Sequence, residues 1–390
     1  MASPARIPGA VWILGFVSLF MDVSSELIHS LLPVFMVTSL GATALMVGVV
    51  EGVAEATALI VKVFSGAISD WLGKRKGLTV LGYGLGAISK PIFALAMTVH
   101  WVFVARFMDR IGKGIRGAPR DALIADLTPP EIRGAAYGLR QSLDTVGAFV
   151  GPLLAIGLML LWAGDFRAVF WFAVIPAVLS VLILVFGVQE PQASRAATRR
   201  DSPVHWRSLS EFSSAYWWVV AAGGIFTLAR FSEAFLILRA QQLGLADTFA
   251  PLVLVIMNVV YAASAFPFGR LADRMSHGKL LAAGLAVLIL ADIVLAQAQG
   301  LAAVAVGVVL WGLHMGMTQG LLATMVAGAA PSHLRGTAFG FFNLVGGVAM
   351  LIASVLAGLL WDQLGAAVTF YVGAAFSILA VVLLVLRRGS

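Results

Sequence analysis

The chain has 390 residues, 60% of them hydrophobic and 12% charged, with a mean hydropathy of +0.97. Soluble domains carry about 25% charged residues, so this composition excludes a soluble globular protein, and the absence of cysteine excludes a disulfide framework, a thiolate metal site and a cysteine nucleophile. The net charge of +7 would suit a nucleic-acid binder, but most Lys and Arg stand in short linkers between apolar runs, the pattern of membrane topology signals; no nucleic-acid partner is expected.

A helix that crosses a bilayer needs about 20 mainly apolar residues. Twelve runs meet this, near 10–36, 44–66, 78–99, 101–126, 136–161, 167–188, 215–240, 250–270, 279–298, 301–327, 337–361 and 367–387. The expected fold is an all-α membrane protein. The first run is too long for the core of a cleaved signal peptide and reads as the first span. Little more than Val99-His100-Trp101 separates the third run from the fourth, which predicts a tight hairpin. Arg6, Lys74-Arg75-Lys76, Arg133, Arg195, Arg199, Arg200, Arg207, Arg270, Arg274, Lys279, Arg335, Arg387 and Arg388 fall on one side, and Arg167 and Arg239 on the other. The basic side is expected to be cytoplasmic, with both termini there, in the inner membrane. Residues 189–214 form the longest linker, dividing an N-terminal bundle (1–188) from a C-terminal one (215–390).

The two halves repeat. Gly66-Ala67-Ile68-Ser69-Asp70 is echoed by Gly269-Arg270-Leu271-Ala272-Asp273, 203 positions later. The segment from Thr128 to Gly138, with Arg133-Gly134, is echoed from Ala330 to Gly340, with Arg335-Gly336, 202 positions later. Two unrelated loops whose offsets agree to within one residue imply duplication with both copies in the same orientation, the parallel arrangement of two six-helix halves.

Gly66-x-x-x-Asp70-x-x-Gly73-Lys74-Arg75-Lys76, between the second and third spans, resembles the loop motif of the major facilitator superfamily. The resemblance implies that Asp70 ties this loop to neighbouring helices and steadies one transport state, with Asp273 as its echo. Arg106-Phe107-Met108-Asp109-Arg110-Ile111-Gly112-Lys113-Gly114 resembles the family's fourth-span motif. It departs from that motif at Asp109, where Gln is usual, at Arg110, where Gly is usual, and at Lys113, where a small residue is usual. Gly138-x8-Gly147-x3-Gly151-Pro152-x2-Ala155 is similar to the motif of the superfamily's antiporters, with Ala155-Ile156 in place of its closing Gly pair. The runs DRIGKGIRGAPRDALIAD and FMDVSSE also look like a prokaryotic, efflux-like branch. Together these imply two pseudo-symmetric six-helix bundles, a substrate site lined by the first, fourth, seventh and tenth spans, and alternating access.

Ionisable residues at membrane depth are costly, about 2.5–3.5 kcal/mol each on insertion scales, and are functional candidates by default. Asp22, Glu26 and His29 share one face of the first span. The second carries Glu51, Glu55 and Lys62, and the fourth Arg106, Asp109, Arg110, Lys113, Arg116, Arg120 and Asp121. Arg140 and Asp144 follow in the fifth, Arg230 and Glu233 in the seventh, and His314, Met315, Met317 and Gln319 in the tenth. Mutual pairing would explain many of them without function. On the cavity-lining spans the candidates are Asp22, Glu26, Arg106, Asp109, Arg230, Glu233 and His314. A carboxylate there can take a proton at one face and release it at the other while an Arg moves toward or away from it. Asp22 or Glu26 is the expected proton site, with Arg106 as modulator.

The reading is a gradient-driven secondary transporter and antiporter, exporting a small solute in exchange for protons, without a cofactor and as a monomer. Carboxylate, imidazole and thioether together raise a transition-metal exporter as an alternative, though no specific metal spacing is present. The Arg-rich fourth span raises an organic anion transporter or uptake permease. No G-x-S-x-G, H-E-x-x-H or P-loop occurs, which argues against an enzyme or an ATP-driven pump.

Overall fold

In the computed structural model, residues 7–190 apart from Gly73, and 210–386 apart from Asp273, Ser332 and His333, are described, without the side chains of Ala67, Asp70 and Leu386. Arg6, Arg195, Arg199, Arg200, Arg207, Arg387, Arg388 and most of the linker therefore lie outside the described residues. Fourteen α-helices follow one another: α1 Gly9–His29, α2 Leu32–Leu40, α3 Ala44–Leu72, α4 Arg75–Leu95, α5 Val99–Leu127, α6 Arg133–Leu161, α7 Phe166–Gly187, α8 Ser214–Ala229, α9 Ala234–Gln242, α10 Leu252–Ala272, α11 His277–Gln297, α12 Leu301–Ala329, α13 Arg335–Leu364 and α14 Ala366–Leu386.

The fourteen helices make the twelve expected spans, because the first span of each half is broken. α1 stops at His29 and α2 restarts at Leu32 with Pro33 in its first turn. A proline cannot donate to the preceding turn, and its ring is pre-set for a helix start. α2 closes at Gly41 in the left-handed region (φ 66°), with Ala42 N bonded to Met36 O at 2.9 Å, a glycine C-cap. The matching break in the second half, between Ala229 and Ala234, contains no proline. Sequence periodicity shows neither break.

Eleven stretches are long and apolar enough to cross a membrane by composition alone. The twelfth span, α5, fails only because it carries so many charges, and it is a continuous 29-residue helix. Its hairpin with α4 is as tight as expected: α4 ends at Leu95 and α5 begins at Val99.

Contacts divide the chain into two compact units. The first is Met1–His29 with Thr57–Pro203, and the second is Ser30–Ala56 with Val204–Ser390. In the first, α1 packs on α6 and α7, and α4 on α5 and α7. Val11, Leu14, Val17, Met21, Tyr83 and Leu184 form its core. Small residues set the helix spacing: a Cβ on Gly82 would stand 2.6 Å from the carbonyl oxygen of Gly112, so α4 and α5 touch backbone to backbone. In the second unit, α11 packs on α12 and α14, and α12 on α10.

Candidate functional site

The basic loop of the motif is anchored. Both oxygens of Glu190 accept from the backbone amides of Arg75 and Lys76, each at 2.8 Å, satisfying donors that a helix start leaves open. The Arg75 guanidinium meets Asp126 at 2.9 Å, and Lys76 Nζ donates to Val185 O at 2.8 Å. Gly66 faces Ala118 of α5, where a Cβ would come to 3.3 Å. The Asp70 side chain, Gly73 and Asp273 are outside the described residues.

The first unit gathers charges from α1, α4, α5 and α6. Lys90 and Asp109 form its tightest pair: Nζ to Oδ1 is 2.7 Å, with side chains 1% and 3% exposed. Lys90 also donates to Ser25 Oγ at 3.0 Å, and the other Asp109 oxygen lies 3.8 Å from Arg110 Nε. Asp22 lies 3.7 Å from Arg116 and its side chain is 25% exposed. Glu26 contacts His29 Nδ1 at 3.3 Å. Arg120 reaches Asp121 at 3.2 Å and Ser18 Oγ at 3.0 Å, while Arg140 reaches Asp144 at 2.8 Å and Asp121 at 3.8 Å. Arg116 also lies over the Tyr83 ring, 4.7 Å from its centroid. Arg106 is buried on the same helix.

Pairing therefore follows a partly different pattern from the one expected. Asp22 meets a base of the fourth span, Arg116, at 3.7 Å. Asp109 takes its main partner from α4, through Lys90. That lysine is the one charge inside the apolar run 78–99, and that alone marked it.

The glycines of the antiporter-like motif back directly onto these acids. A Cβ on Gly147 would stand 2.8 Å from Leu19 O and 3.0 Å from Asp22 Cβ. One on Gly151 would stand 2.9 Å from Val23 O and 2.9 Å from Glu26 Cβ. α6 thus presses its glycine face on the turns of α1 that carry Asp22 and Glu26, and Pro152 is buried beside it. Gly138, a turn or more away, has nothing within 4 Å.

In the second unit the break between α8 and α9 holds Arg230 and Glu233, 3.5 Å apart. Phe231, between them, joins an aromatic group with Phe235, Trp311 and Phe370, all at centroid distances of 5.5 Å from it. His314 is fully buried on α12, its Nδ1 2.8 Å from Gly284 O and its ring stacked on Phe226. Arg239 is committed to carbonyls at the end of α11, those of Leu295, Ala296 and Ala298. The run 279–298 also hides Asp292, fully buried on α11; like Lys90, it is signalled only as a lone charge in an apolar run. Among the described residues no three of His, Asp and Glu gather at metal-binding distance.

The family model described as Major Facilitator Superfamily matches residues 13–239 and again 225–390. The chain is 31% identical over 380 residues to the MFS-type transporter MJ1317 of Methanocaldococcus jannaschii, covering 96% of this chain and 94% of that one. It is 30% identical over 171 residues to the multidrug resistance protein MdtH of Photorhabdus laumondii, covering 44% and 41%. Among solved structures it resembles the nucleoside transporter NupG (TM-score 0.79, 12% identity, 97% and 99% covered). It also resembles a peptide transporter POT variant (TM-score 0.82, 15% identity, 98% and 94% covered). At those identities the likeness concerns the fold.

Proposed function

The chain belongs to the major facilitator superfamily, and from that premise we propose that it exports a small solute across the cytoplasmic membrane in exchange for protons, with Asp22 as a coupling acid. A carboxylate that couples must be able to change partners. Asp109 is held at 2.7 Å by a buried lysine and is suited to a structural role, because breaking such a pair strands a charge. Asp22 is different: its cation is 3.7 Å away, a quarter of its side chain is open, and Gly147 supports the turn that carries it. That loose, accessible pairing is the observation that carries the reading. In the cycle, a proton on Asp22 releases Arg116, and return of Arg116 expels the proton.

Export, as against uptake, rests on the glycine motif of α6 and on the partial relationship to a multidrug resistance protein. A transition-metal cargo has weaker support, since among the described residues no three of His, Asp and Glu stand close enough to share a metal ion. The functional halves remain 1–188 and 215–390, joined by a cytoplasmic linker at 189–214.

The test uses inside-out vesicles energised to an acidic interior and followed with a pH-sensitive dye. Amphiphilic organic cations, organic anions and divalent metals are added in turn, with Asp22→Asn and Glu26→Gln alongside. Dye recovery with one class, lost in Asp22→Asn, is the expected result and selects the substrate class. Recovery that is equal in both variants and wild type removes these acids from the mechanism.

A further inference from the structure

We propose that Asp292 is a proton-binding site of the second unit, carrying its proton at neutral pH. Both Asp292 oxygens are buried without a hydrogen-bond partner, and the residue is 0% exposed. Its surroundings are apolar: a Cβ on Gly373 of α14 would stand 3.0 Å from Asp292 Oδ2 and 3.1 Å from the Phe231 ring. A carboxylate in that position would have given up water and gained neither a cation nor a donor, whereas the neutral acid carries no charge to solvate.

The internal repeat gives the site a counterpart. Over this region the helix bounds fix the offset at 202: Arg75–Leu95 corresponds to His277–Gln297 and Val99–Leu127 to Leu301–Ala329. At the same offset Lys90 corresponds to position 292 and Asp109 to position 311. The first unit fills that pair of positions with an ammonium and a carboxylate 2.7 Å apart. The second fills them with Asp292 and Trp311, and Trp311 Nε1 is also buried without a partner. The duplicated scaffold thus puts a carboxyl where the first unit has its cation and an indole where the first unit has its carboxylate; the positive charge that balances Asp292 is a proton.

His314 is the other buried titratable group on the helix packed against α11. α11 and α12 are antiparallel, with Gly284 against Thr318 and Leu295 against Gly307. This register sets His314 about one helical turn, roughly 5.4 Å, along from the level of Asp292. Its Nδ1 faces a carbonyl oxygen, so Nδ1 carries the hydrogen. Nε2 is then a bare acceptor, buried and without a partner. Ser377, another buried hydroxyl without a partner, lies on α14 one turn from Gly373. The other ionisable groups on the elements packed here are Arg230 and Glu233, which face each other, and Arg239, which is bound to carbonyls. Tyr371 of α14 is exposed. His277 and Lys279 stand at the far end of α11.

The proton site extends the antiport reading above, yet its first test does not depend on transport. Purified protein in lipid nanodiscs is followed by infrared spectroscopy as the buffer is stepped from neutral to alkaline pH. A protonated-carboxyl stretch present at neutral pH, lost on alkalinisation and missing from Asp292→Asn, is expected. Spectra that are the same for wild type and Asp292→Asn at every pH overturn the proposal. If Asp292→Asn does not fold, Asp292→Glu must keep the band at a shifted frequency, and failure to do so has the same consequence. In the vesicle assay, Asp292→Asn should lose at least tenfold of the proton-linked recovery. Undiminished recovery, with Asp22→Asn inactive, refutes a part in coupling while leaving the antiport reading intact. Absent wild-type recovery refutes antiport and leaves the infrared arm to decide.

Discussion

Replacing Asp362 by Ala removes both acceptors that hold the first amides of α3, Ala44 N at 3.0 Å and Leu45 N at 2.9 Å. These are donors that no helical bond can satisfy. A side-chain cap of this kind contributes about 1 kcal/mol, and a carboxylate at a helix N-terminus about 0.5 kcal/mol more at an exposed position. The sum, about 1.5 kcal/mol, is close to a tenfold change in an equilibrium. Nearby, a Cβ on Gly358 would stand 2.5 Å from Ala44 O, and Gly48 lies against the Ser354 carbonyl, so α3 and α13 are in backbone contact. On the exporter reading proposed above, these helices part in one state of the cycle, and Asp362→Ala should then raise the parted population about tenfold. The chain has no cysteine, so Ser354→Cys supplies a single thiol at a fully buried position. A membrane-impermeant maleimide then reports the parted fraction through its labelling rate. Labelling about tenfold faster in Asp362→Ala/Ser354→Cys than in Ser354→Cys is expected. Equal rates would show that the carboxylate does not hold this contact and would refute the reasoning.

Three further outcomes are expected. Gly151→Ala puts a methyl against Val23 O and Glu26 Cβ; the overpacking of about 1–3 kcal/mol should leave an expressed, folded protein with impaired vesicle transport, and normal transport would detach the glycine motif from function. Lys90→Met strands Asp109 and should lower stability by about 3–5 kcal/mol, measured by denaturant unfolding in micelles, with Lys90→Met/Asp109→Asn recovering most of the loss; no recovery would mean that Lys90 acts through packing alone. Asp70→Asn should impair transport with folding largely intact, as read by flux and size-exclusion behaviour, and a fully active variant would sink the role that the loop motif implies.

Much of the architecture was legible because lipid imposes it. Spans must be long, apolar and helical, so composition alone located nearly all of them. The duplicated loops fixed the repeat, because two separate segments shared one offset to within one residue. Charge partners were harder to read. Asp109 finds Lys90 on the neighbouring α4, and no pattern within α5 announces it. Arg116 stands at Asp22, because the crossing of α1 and α5 decides which turn faces which. The breaks were invisible for another reason: an apolar run reads alike whether or not one turn of it is unwound. Lone acids and bases in apolar runs deserved more weight than helical clusters, since a single charge has no neighbour on its own helix to explain it.

The same scaffold has been filled in two different ways, and the difference assigns roles. At positions 90 and 109 the first unit holds a closed ion pair, and at the equivalent 292 and 311 the second holds an acid and an indole, both buried without a hydrogen-bond partner. An ion pair buried this tightly resists exchange in either direction, since removing one partner strands the other. An acid without a cation needs only a proton to be neutral, and a proton can leave when a better-solvated path opens. Asp22 lies between these extremes, with a distant cation and partial exposure. Ranked by how little must be broken to move a proton, Asp292 and Asp22 come ahead of Asp109. One lies in each unit, so the Asp22→Asn and Asp292→Asn variants separate the contribution of one unit from that of the other.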